Sequence, residues 1–173
     1  MAVQADCIAV AGCAEAAYQM YIERIGKPPA PMVADFRSQI AEGKVYVLEQ
    51  YPLSQEQPLL GFVVCFKSNA RHAESVRSTT RENKGTKKDN CAKAQTYFLE
   101  NIAVNPHSQR AGHGNRLIKH VFALATDNNC SAVELYTNEM MTENIAWYKK
   151  LGFSEINRVF EDGFNRVYMR LAL

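Results

Sequence analysis

The segment best suited to chemistry in this sequence is a glycine-containing turn, Gln109-Arg110-Ala111-Gly112-His113-Gly114. It follows an apolar stretch typical of a strand and precedes a stretch with the periodicity of a long helix. Two glycines separated by one residue allow the backbone to turn tightly and to approach a ligand without a Cβ in the way. The N–H groups of the first helical turn, together with the helix dipole, would form an anion site that fits a pyrophosphate. Taken alone, the same turn is also explained as an ordinary helix cap.

The turn matches neither of the better-known phosphate-binding patterns. The Gly-x-Gly-x-x-Gly pattern fails because its last position is Leu117, and no Gly-x-x-x-x-Gly-Lys-[Ser/Thr] segment is present. The sequence therefore argues against a nicotinamide-dependent dehydrogenase and against a nucleoside triphosphate hydrolase.

The elements that position this turn alternate between helix and strand. Hydrophobic periodicity predicts a first helix over 13–25, ended by Gly26. A short second helix stops at Gly43 and carries Met32, Val33, Phe36 and Ile40. Later helices are predicted at 112–128 and 142–150. A strand ahead of the first helix is hardly visible, and only residues 7–10 could supply it.

Strands are predicted at 44–49, 59–66, 96–104, 132–137, 153–160 and 164–171. The last two are joined by Asp162-Gly163, which is a strong hairpin signal. Helices and strands interspersed in this way indicate an α+β, mixed αβ fold class.

Length and composition indicate a single globular domain. The chain has 173 residues, of which 47% are hydrophobic and 22% charged, and its net charge is +2. These values exclude fibrous and largely disordered proteins and give no overall attraction to nucleic acid. No apolar run approaches the roughly 18 residues of a membrane span. We therefore expect one domain over residues 1–173 and no membrane association.

The cysteines and the first residues of the chain indicate a cytoplasmic protein. The five cysteines are odd in number and none has Cys-x-x-Cys spacing, so the sequence suggests neither a disulfide framework nor a zinc site. We expect reduced thiols and no bound metal. The segment Val10-Ala11-Gly12-Cys13 imitates a lipoprotein cleavage site, but it lacks a basic leader and a long apolar segment. A helix start is the simpler interpretation.

Residues 67–95 are a basic segment within the predicted domain. They include eight basic and three acidic residues, a net charge of +5, and almost no large apolar residues. Such a segment cannot bury much surface, so we expect a solvated surface insertion. A basic flap that meets an anionic ligand or nucleic acid is the alternative. The segment lacks the aromatic residues that stack on bases, which argues against nucleic acid.

Three segments, in this order, resemble the GNAT superfamily of N-acetyltransferases. The first is a strand and its end, Leu99-Glu100-Asn101-Ile102-Ala103-Val104-Asn105-Pro106. The second is the turn Gln109-x-x-Gly112-x-Gly114, which matches the family pattern Gln/Arg-x-x-Gly-x-Gly/Ala. The third is similar to the family's Tyr-x-x-x-Gly-Phe helix end and reads Ala146-Trp147-Tyr148-Lys149-Lys150-Leu151-Gly152-Phe153. Together they cover residues 97–153, and the joint match is far more specific than any one segment.

The resemblance implies a fold and a cofactor. The fold is a central, mostly antiparallel, twisted sheet, splayed between its fourth and fifth strands, with helices on both faces. The pantetheine arm of acetyl-CoA would fill the splay and pair with the fourth strand as a pseudo-strand. A strand N–H near Ala103 would polarise the thioester carbonyl. The implied cofactor-binding residues are Ile102, Ala103, Val104, Gln109, Arg110, Ala111, Gly112, His113, Gly114, Asn115, Asn144 and Tyr148.

The resemblance also implies two catalytic residues. Tyr148 would be the general acid that protonates the departing CoA thiolate, and the alternative is that its ring simply packs beside Trp147. Glu100 would be the base that deprotonates the acceptor ammonium. A salt-bridged or solvent-facing Glu100 is the alternative.

One departure from the family concerns the amide that contacts the cofactor. The family often has an asparagine seven residues before the tyrosine, and here that position is Met141. Asn138 and Asn144 lie on either side of it, and Asn144 is retained among the implied contacts.

The implied activity is an N-acetyltransferase that moves an acetyl group from acetyl-CoA to a primary amine by direct attack in a ternary complex. Its partners would be acetyl-CoA and an amine acceptor, and a homodimer is compatible with the sequence. The alternative is a non-catalytic module of the same fold that binds or senses acyl-CoA. Turnover distinguishes the two, because a module would bind the thioester without releasing thiol.

Overall fold

A computed structural model of the chain describes residues 1–50, 59–68 and 95–173. In these ranges the α-helices are α1 (Cys7–Tyr18), α2 (Ile22–Ile25), α3 (Phe36–Ala41), α4 (His113–Asp127) and α5 (Thr142–Lys150). The strands are β1 (Val45–Glu49), β2 (Leu59–Lys67), β3 (Thr96–Val104), β4 (Ala132–Asn138), β5 (Ser154–Glu161) and β6 (Phe164–Ala172). Short 3₁₀ turns lie at Gln4–Asp6, Gln19–Tyr21, Ala30–Val33 and Pro106–Ser108.

The described strands form one six-stranded sheet in the order β1-β2-β3-β4-β6-β5. β1 pairs antiparallel with β2, and β6 pairs antiparallel with both β4 and β5. β3 and β4 begin side by side, because Ser131 N–H donates to Gln95 O over 2.9 Å just before both strands start. This open, mostly antiparallel sheet with helices around it confirms the predicted mixed αβ fold class.

One compact unit consists of Met1–Phe66 and Leu99–Ala123. Its core joins apolar side chains of the first helices to those of β2 and α4. Phe36 of α3 packs edge-to-face on Phe62 of β2, with ring centroids 5.3 Å apart, and Val10 and Val121 are fully buried. Helices and strands of this unit therefore share one apolar core, which fixes the second half of β3 and the start of α4.

A second compact unit consists of Lys67–Phe98 and Leu124–Leu173. In its described part, the β5–β6 hairpin turns at Asp162 and Gly163, whose φ angles are 51° and 75°. Positive φ at both central residues is what a two-residue hairpin of the Asp-Gly type requires. Leu135 of β4 and Met169 of β6 are paired and almost completely buried, so they form the centre of this unit.

The predicted first helix has different bounds in the structure. Residues 7–10, the only residues that could have supplied a strand ahead of the first helix, belong to α1. α1 contains five alanines, and alanine has the highest intrinsic helix propensity, so the helix begins before the apolar periodicity does. It ends at Tyr18, and a 3₁₀ turn and the short α2 follow before Gly26, whose φ is 80°.

The predicted second helix starts later than expected. Met32 and Val33 lie in the 3₁₀ turn Ala30–Val33, and α3 begins at Phe36. The cause is the cap at Asp35, whose carboxylate accepts the Ser38 N–H over 3.0 Å and the Ser38 hydroxyl over 2.7 Å. These hydrogen bonds hold the pKa of Asp35 below its ordinary value.

The predicted basic insertion falls mostly outside the described residues. Only its ends, at residues 67, 68 and 95, are described, and Ser68 N–H donates to Thr96 O over 2.8 Å. None of the helices in the described ranges is long and apolar enough to cross a bilayer.

Candidate active site

The turn between β3 and α4 is built by local hydrogen bonds around Asn105. The N–H of Asn105 donates to Leu60 O of β2 over 2.9 Å, which ties the end of β3 to its neighbour. The side chain of Asn105 accepts the His107 N–H over 3.1 Å, and its carbonyl accepts the Ser108 N–H over 2.8 Å. Pro106 cannot continue a sheet ladder, so the chain leaves the strand here and approaches the helix start.

Two residues of the turn have left-handed backbone conformations. Arg110 has a φ of 65° and Gly112 a φ of 81°. A Cβ built on Gly112 would meet no heavy atom within 4 Å, so glycine is required there by the backbone angle and not by a lack of space. At Arg110, which has a Cβ, the same conformation costs roughly 1–2 kcal/mol. The rest of the turn therefore holds Arg110 in a strained conformation, which is common at ligand-binding loops.

The start of α4 leaves backbone donors without acceptors inside the helix. The first bond of the helix runs from Arg116 N–H to Gly112 O over 3.1 Å, so the N–H groups of His113, Gly114 and Asn115 have no acceptor within the helix. α4 is 15 residues long, and its dipole adds partial positive charge at this end. The Nδ1 atom of His113 is buried and has no hydrogen-bond partner among the described residues. The arrangement fits a bound anion.

The backbone N–H and C=O groups of the last residues of β3 point alternately to its two edges. Ala103 O lies against β2, since a Cβ built on Gly61 would be 2.5 Å from it, and Asn105 N–H also points to β2. Alternate peptide groups of a strand point to opposite edges, so Ile102 and Val104 direct their N–H and C=O groups away from β2.

The two carbonyls on this outer edge accept side-chain hydrogen bonds. Tyr18 Oη lies 3.0 Å from Ile102 O, and Gln109 Nε2 donates to Val104 O over 3.3 Å. The sequence prediction included the three strand residues and Gln109, but it assigned no contact with Ile102 to Tyr18. Tyr18 and Asn101 are 83 positions apart in the chain, and nothing in the local sequence signals their contact.

Glu100, the predicted base, is half-buried on β3. Its carboxylate accepts a hydrogen bond of 3.1 Å from Gln39 Nε2 of α3. The other end of that amide, Gln39 Oε1, is buried and has no partner among the described residues. A buried acceptor without a donor is unfavourable. The hydrogen bond to Glu100 and the packing of α3 therefore hold the Gln39 amide in this orientation. Sequence reasoning missed Gln39, because the contact joins residues 61 positions apart.

Tyr148, the predicted acid, lies in α5 of the second unit and is 5% exposed. Its ring packs against Trp147, with centroids 5.1 Å apart, and against Phe153, with centroids 5.7 Å apart. Its carbonyl accepts the Phe153 N–H over 3.0 Å, which closes the helix end around Gly152. The ring of Tyr148 therefore packs beside Trp147, as the alternative interpretation describes. The role of its hydroxyl as a general acid stays a prediction.

Met141 precedes the first residue of α5, and its sulfur accepts two side-chain hydrogen bonds. Thr137 Oγ1 lies 3.5 Å from it and Asn144 Nδ2 lies 3.7 Å from it. Asn138 Oδ1 accepts the Met140 N–H over 2.9 Å and so belongs to the turn before the helix. Of the two asparagines near Met141, Asn144 thus directs its amide to the Met141 sulfur, while Asn138 holds the turn.

A second polar cluster, which sequence reasoning missed, lies on β6 and the hairpin. Arg166 pairs with Glu161 and Asp162, each over 2.9 Å, and its guanidinium stacks 4.2 Å above the centre of the Tyr136 ring. Tyr168 also donates to Glu161. Burial and this hydrogen bond raise the pKa of Tyr168 above its ordinary value. In the described ranges, no group of His, Cys, Asp or Glu could hold a metal ion.

Comparisons with known proteins agree on the fold. The model of the acetyltransferase (GNAT) family matches residues 14–153. A similar solved structure is the ribosomal-protein-S18-alanine N-acetyltransferase from Escherichia coli, 18% identical, with 99% of this chain and 90% of that chain covered and a TM-score of 0.62.

Two further structures are similar at lower identity. Naa20 of Chaetomium thermophilum, solved with a bisubstrate analogue, is 15% identical over 99% of this chain and 84% of that chain, with a TM-score of 0.63. A GNAT family acetyltransferase of Listeria monocytogenes is 14% identical over 99% and 92%, with a TM-score of 0.65. The comparison with curated proteins gives no match.

Proposed function

The chain belongs to the acetyltransferase (GNAT) family, and on this premise we propose that it transfers an acetyl group from acetyl-CoA to a primary amine by direct attack in a ternary complex. The observation that carries the proposal is the turn from Gln109 to Asn115, where two left-handed residues lead into a helix whose first N–H groups have no acceptor within it. The family match covers parts of both compact units, which supports one acyltransferase domain over residues 1–173.

In this proposal the pyrophosphate of CoA binds at the turn. The N–H groups from Arg110 to Asn115, including those of Ala111, Gly112, His113 and Gly114, supply donors, and the dipole of α4 favours the negative charge. Arg110 and Arg116 are exposed beside the turn and add positive charge. A helix cap alone would account for Gly112, but it would not account for a strained Arg110 in the same turn.

The pantetheine arm is proposed to pair with Ile102, Ala103 and Val104. In this pairing the arm would bind the N–H groups of Ile102 and Val104 at the outer edge of β3, since the carbonyls of both residues already accept hydrogen bonds from side chains. We assign the polarisation of the thioester carbonyl to one of these two N–H groups, because Ala103 O lies against β2. The two groups are about 6–7 Å apart along an extended strand, so one oxygen accepts from only one of them. Donors aimed at the developing oxyanion are worth about 10²–10³ in rate.

The chemical step needs proton transfers at the acceptor nitrogen and at the leaving sulfur. An acceptor amine arrives as ammonium with a pKa near 10, so a base has to remove a proton before the nitrogen lone pair attacks the carbonyl carbon. Glu100 takes that proton, directly or through water. The nitrogen, now bonded to the carbonyl carbon, loses a second proton to solvent, and the carbon–sulfur bond breaks. Tyr148 protonates the leaving thiolate and regains its own proton from solvent. Asn144 contacts the cofactor beside Met141.

The acceptor class is open to a direct test. One structural neighbour is named for acetylating an alanine of ribosomal protein S18, so a peptide with a free N-terminal alanine belongs in the panel with polyamines and amino acids. A cytoplasmic location is part of the proposal, and it is supported by the described cysteines Cys7, Cys13 and Cys130, which are not in disulfides.

The experiment measures thiol release from acetyl-CoA with each amine, together with CoA affinity by titration calorimetry. We expect release with at least one amine. Tyr148→Phe should lower kcat by about 10²-fold, because the leaving thiolate loses its proton donor, and should leave CoA affinity unchanged. Tyr97→Phe, which removes another buried tyrosine hydroxyl, is the matched control and should retain kcat.

Two results would contradict the proposal. CoA binding without thiol release for any amine would favour the non-catalytic module. No binding of CoA would remove the assignment of the turn as an anion site.

A further inference from the structure

Tyr18 joins α1 to the strand that carries the proposed acyl site. It is the last residue of α1 and is 7% exposed. Its hydroxyl oxygen lies 2.7 Å from Asn101 Oδ1 and 3.0 Å from Ile102 O, both on β3. Asn101 is itself 5% exposed, so this contact takes place away from solvent.

A buried hydroxyl at this position constrains the backbone. The hydroxyl has one hydrogen and faces two oxygen acceptors, one on a side chain and one on the main chain. If the carbonyl of Ile102 rotated away, the Tyr18 hydroxyl would lose an acceptor and the carbonyl would lose its donor. The cost would be of the order of one hydrogen bond. Tyr18 therefore favours one orientation of the Ile102 peptide group.

The neighbouring peptide group is fixed from the opposite side. Ala103 O lies so close to Gly61 that a Cβ there would be 2.5 Å from it. The 102–104 stretch is thus held between α1 on its outer edge and the backbone of β2 on its inner edge. Its Ile102 and Val104 N–H groups have a direction set by these contacts.

We propose that Tyr18 is a positioning residue for acyl transfer. It holds the Ile102 carbonyl so that the N–H groups of the two adjoining peptide groups, those of Ile102 and Val104, keep the direction in which one of them reaches the thioester carbonyl. The inference rests on the proposed function. Donors stabilise an oxyanion only when they lie about 2.7–3.1 Å from the place where its charge develops. If these donors become less well oriented, the transition state loses more stabilisation than the bound thioester does. We therefore expect Tyr18 to affect kcat.

The first test compares Tyr18→Phe with Tyr21→Phe. Both changes remove one hydroxyl from a buried tyrosine in the same segment of chain, and the hydroxyl removed from Tyr18 lies 3.0 Å from Ile102 O. We expect Tyr18→Phe to lower kcat about 10-fold while the KM for acetyl-CoA and the affinity for CoA stay within about twofold. Tyr21→Phe should keep all three values. An unchanged kcat in a folded Tyr18→Phe protein, or equal losses in both variants, would overturn the proposal.

The second test needs no variant and no turnover. Amide resonances of ¹⁵N-labelled wild-type protein are recorded with CoA and with acetyl-CoA. The amide of Ile102 or of Val104, whichever donates to the acyl carbonyl, should shift between the two ligands, because only acetyl-CoA has that carbonyl. No difference at either amide would overturn the proposal even if the enzyme acetylates amines. Absence of thiol release with every amine would instead count against the proposed function, so the two failures are distinguishable.

Discussion

The close approach of β2 and β3 at Gly61 gives a prediction whose size follows from the structure. Gly61 pairs with Leu48 of β1 on one side of β2 and faces Ala103 on the other. A Cβ at residue 61 would lie 2.5 Å from Ala103 O, 3.1 Å from a methyl carbon of Leu117 and 3.2 Å from Val104 Cα. A carbon–oxygen contact needs about 3.3 Å, so Gly61→Ala has to displace β3 by roughly 0.8 Å.

This displacement should affect both stability and turnover. Overpacking of a buried site costs about 1–3 kcal/mol, which corresponds to a fall in Tm of roughly 5 °C for a chain of this length. The displaced residues are Ala103 and Val104, within the stretch proposed to bind the thioester. Because a shift of about 1 Å can reduce a rate by up to 10²-fold, we expect kcat to fall at least 10-fold.

The matched control is Gly12→Ala on α1. A Cβ there would meet no heavy atom within 4 Å, and an alanine in a helix interior is favoured over glycine by about 1 kcal/mol. Thermal unfolding and thiol release should show a raised Tm and unchanged kcat for Gly12→Ala. If Gly61→Ala kept the wild-type Tm, the close approach would be wrong. If the Tm of Gly61→Ala fell but its kcat stayed at the wild-type value, the position of β3 would not determine the rate of acyl transfer.

Two further predictions concern a left-handed glycine and a buried thiol. Gly112→Ala and Gly26→Ala add the same methyl group at φ angles of 81° and 80° without any steric contact, so both should lose about 1 kcal/mol of stability. Only Gly112→Ala should weaken CoA binding, by about 10-fold in calorimetry, and equal affinities in the two variants would place the pyrophosphate elsewhere. Burial raises the pKa of the Cys13 thiol from 9.0 to about 11. Since the folded pKa is the higher one, stability should be retained below pH 9 and lost between pH 9 and pH 11. Urea unfolding at pH 8 and pH 11 should show a larger loss for the wild type than for Cys13→Ala, and equal losses would contradict the assignment.

Elements with a strong local signal could be predicted from the sequence. β3 and α5 have the predicted bounds, and the hairpin turns at the predicted Asp162-Gly163. The start of α1 could not be found in the same way, because an alanine-rich segment forms a helix without showing apolar periodicity. The start of α3 is set by the Asp35 cap, and residues 32 and 33 look equally helical in an apolar pattern.

In the candidate site, too, residues with a local sequence signal could be predicted, and contacts between distant parts of the chain could not. Gly112 was predicted in a tight turn because glycine is the residue that adopts positive φ without cost. The positive φ of Arg110 has no such signal, since arginine is ordinarily right-handed or extended. Contacts of Tyr18 with Asn101 and of Gln39 with Glu100 depend on the packing of helices against β3. Pairs so distant in sequence become visible only when the chain is folded.

Gln109 connects the anion site to the strand edge. Its backbone opens the turn, while its side chain reaches back five positions and donates to Val104 O over 3.3 Å. The family pattern allows Gln or Arg at this position, and both are long side chains with N–H donors. A short residue could not reach the carbonyl, and a carboxylate would present an acceptor to an acceptor. Position 109 therefore requires a long side chain that donates a hydrogen bond to Val104 O, the last outward carbonyl of β3. This bond ties the strand, where the thioester is proposed to bind, to the turn, where the pyrophosphate is proposed to bind.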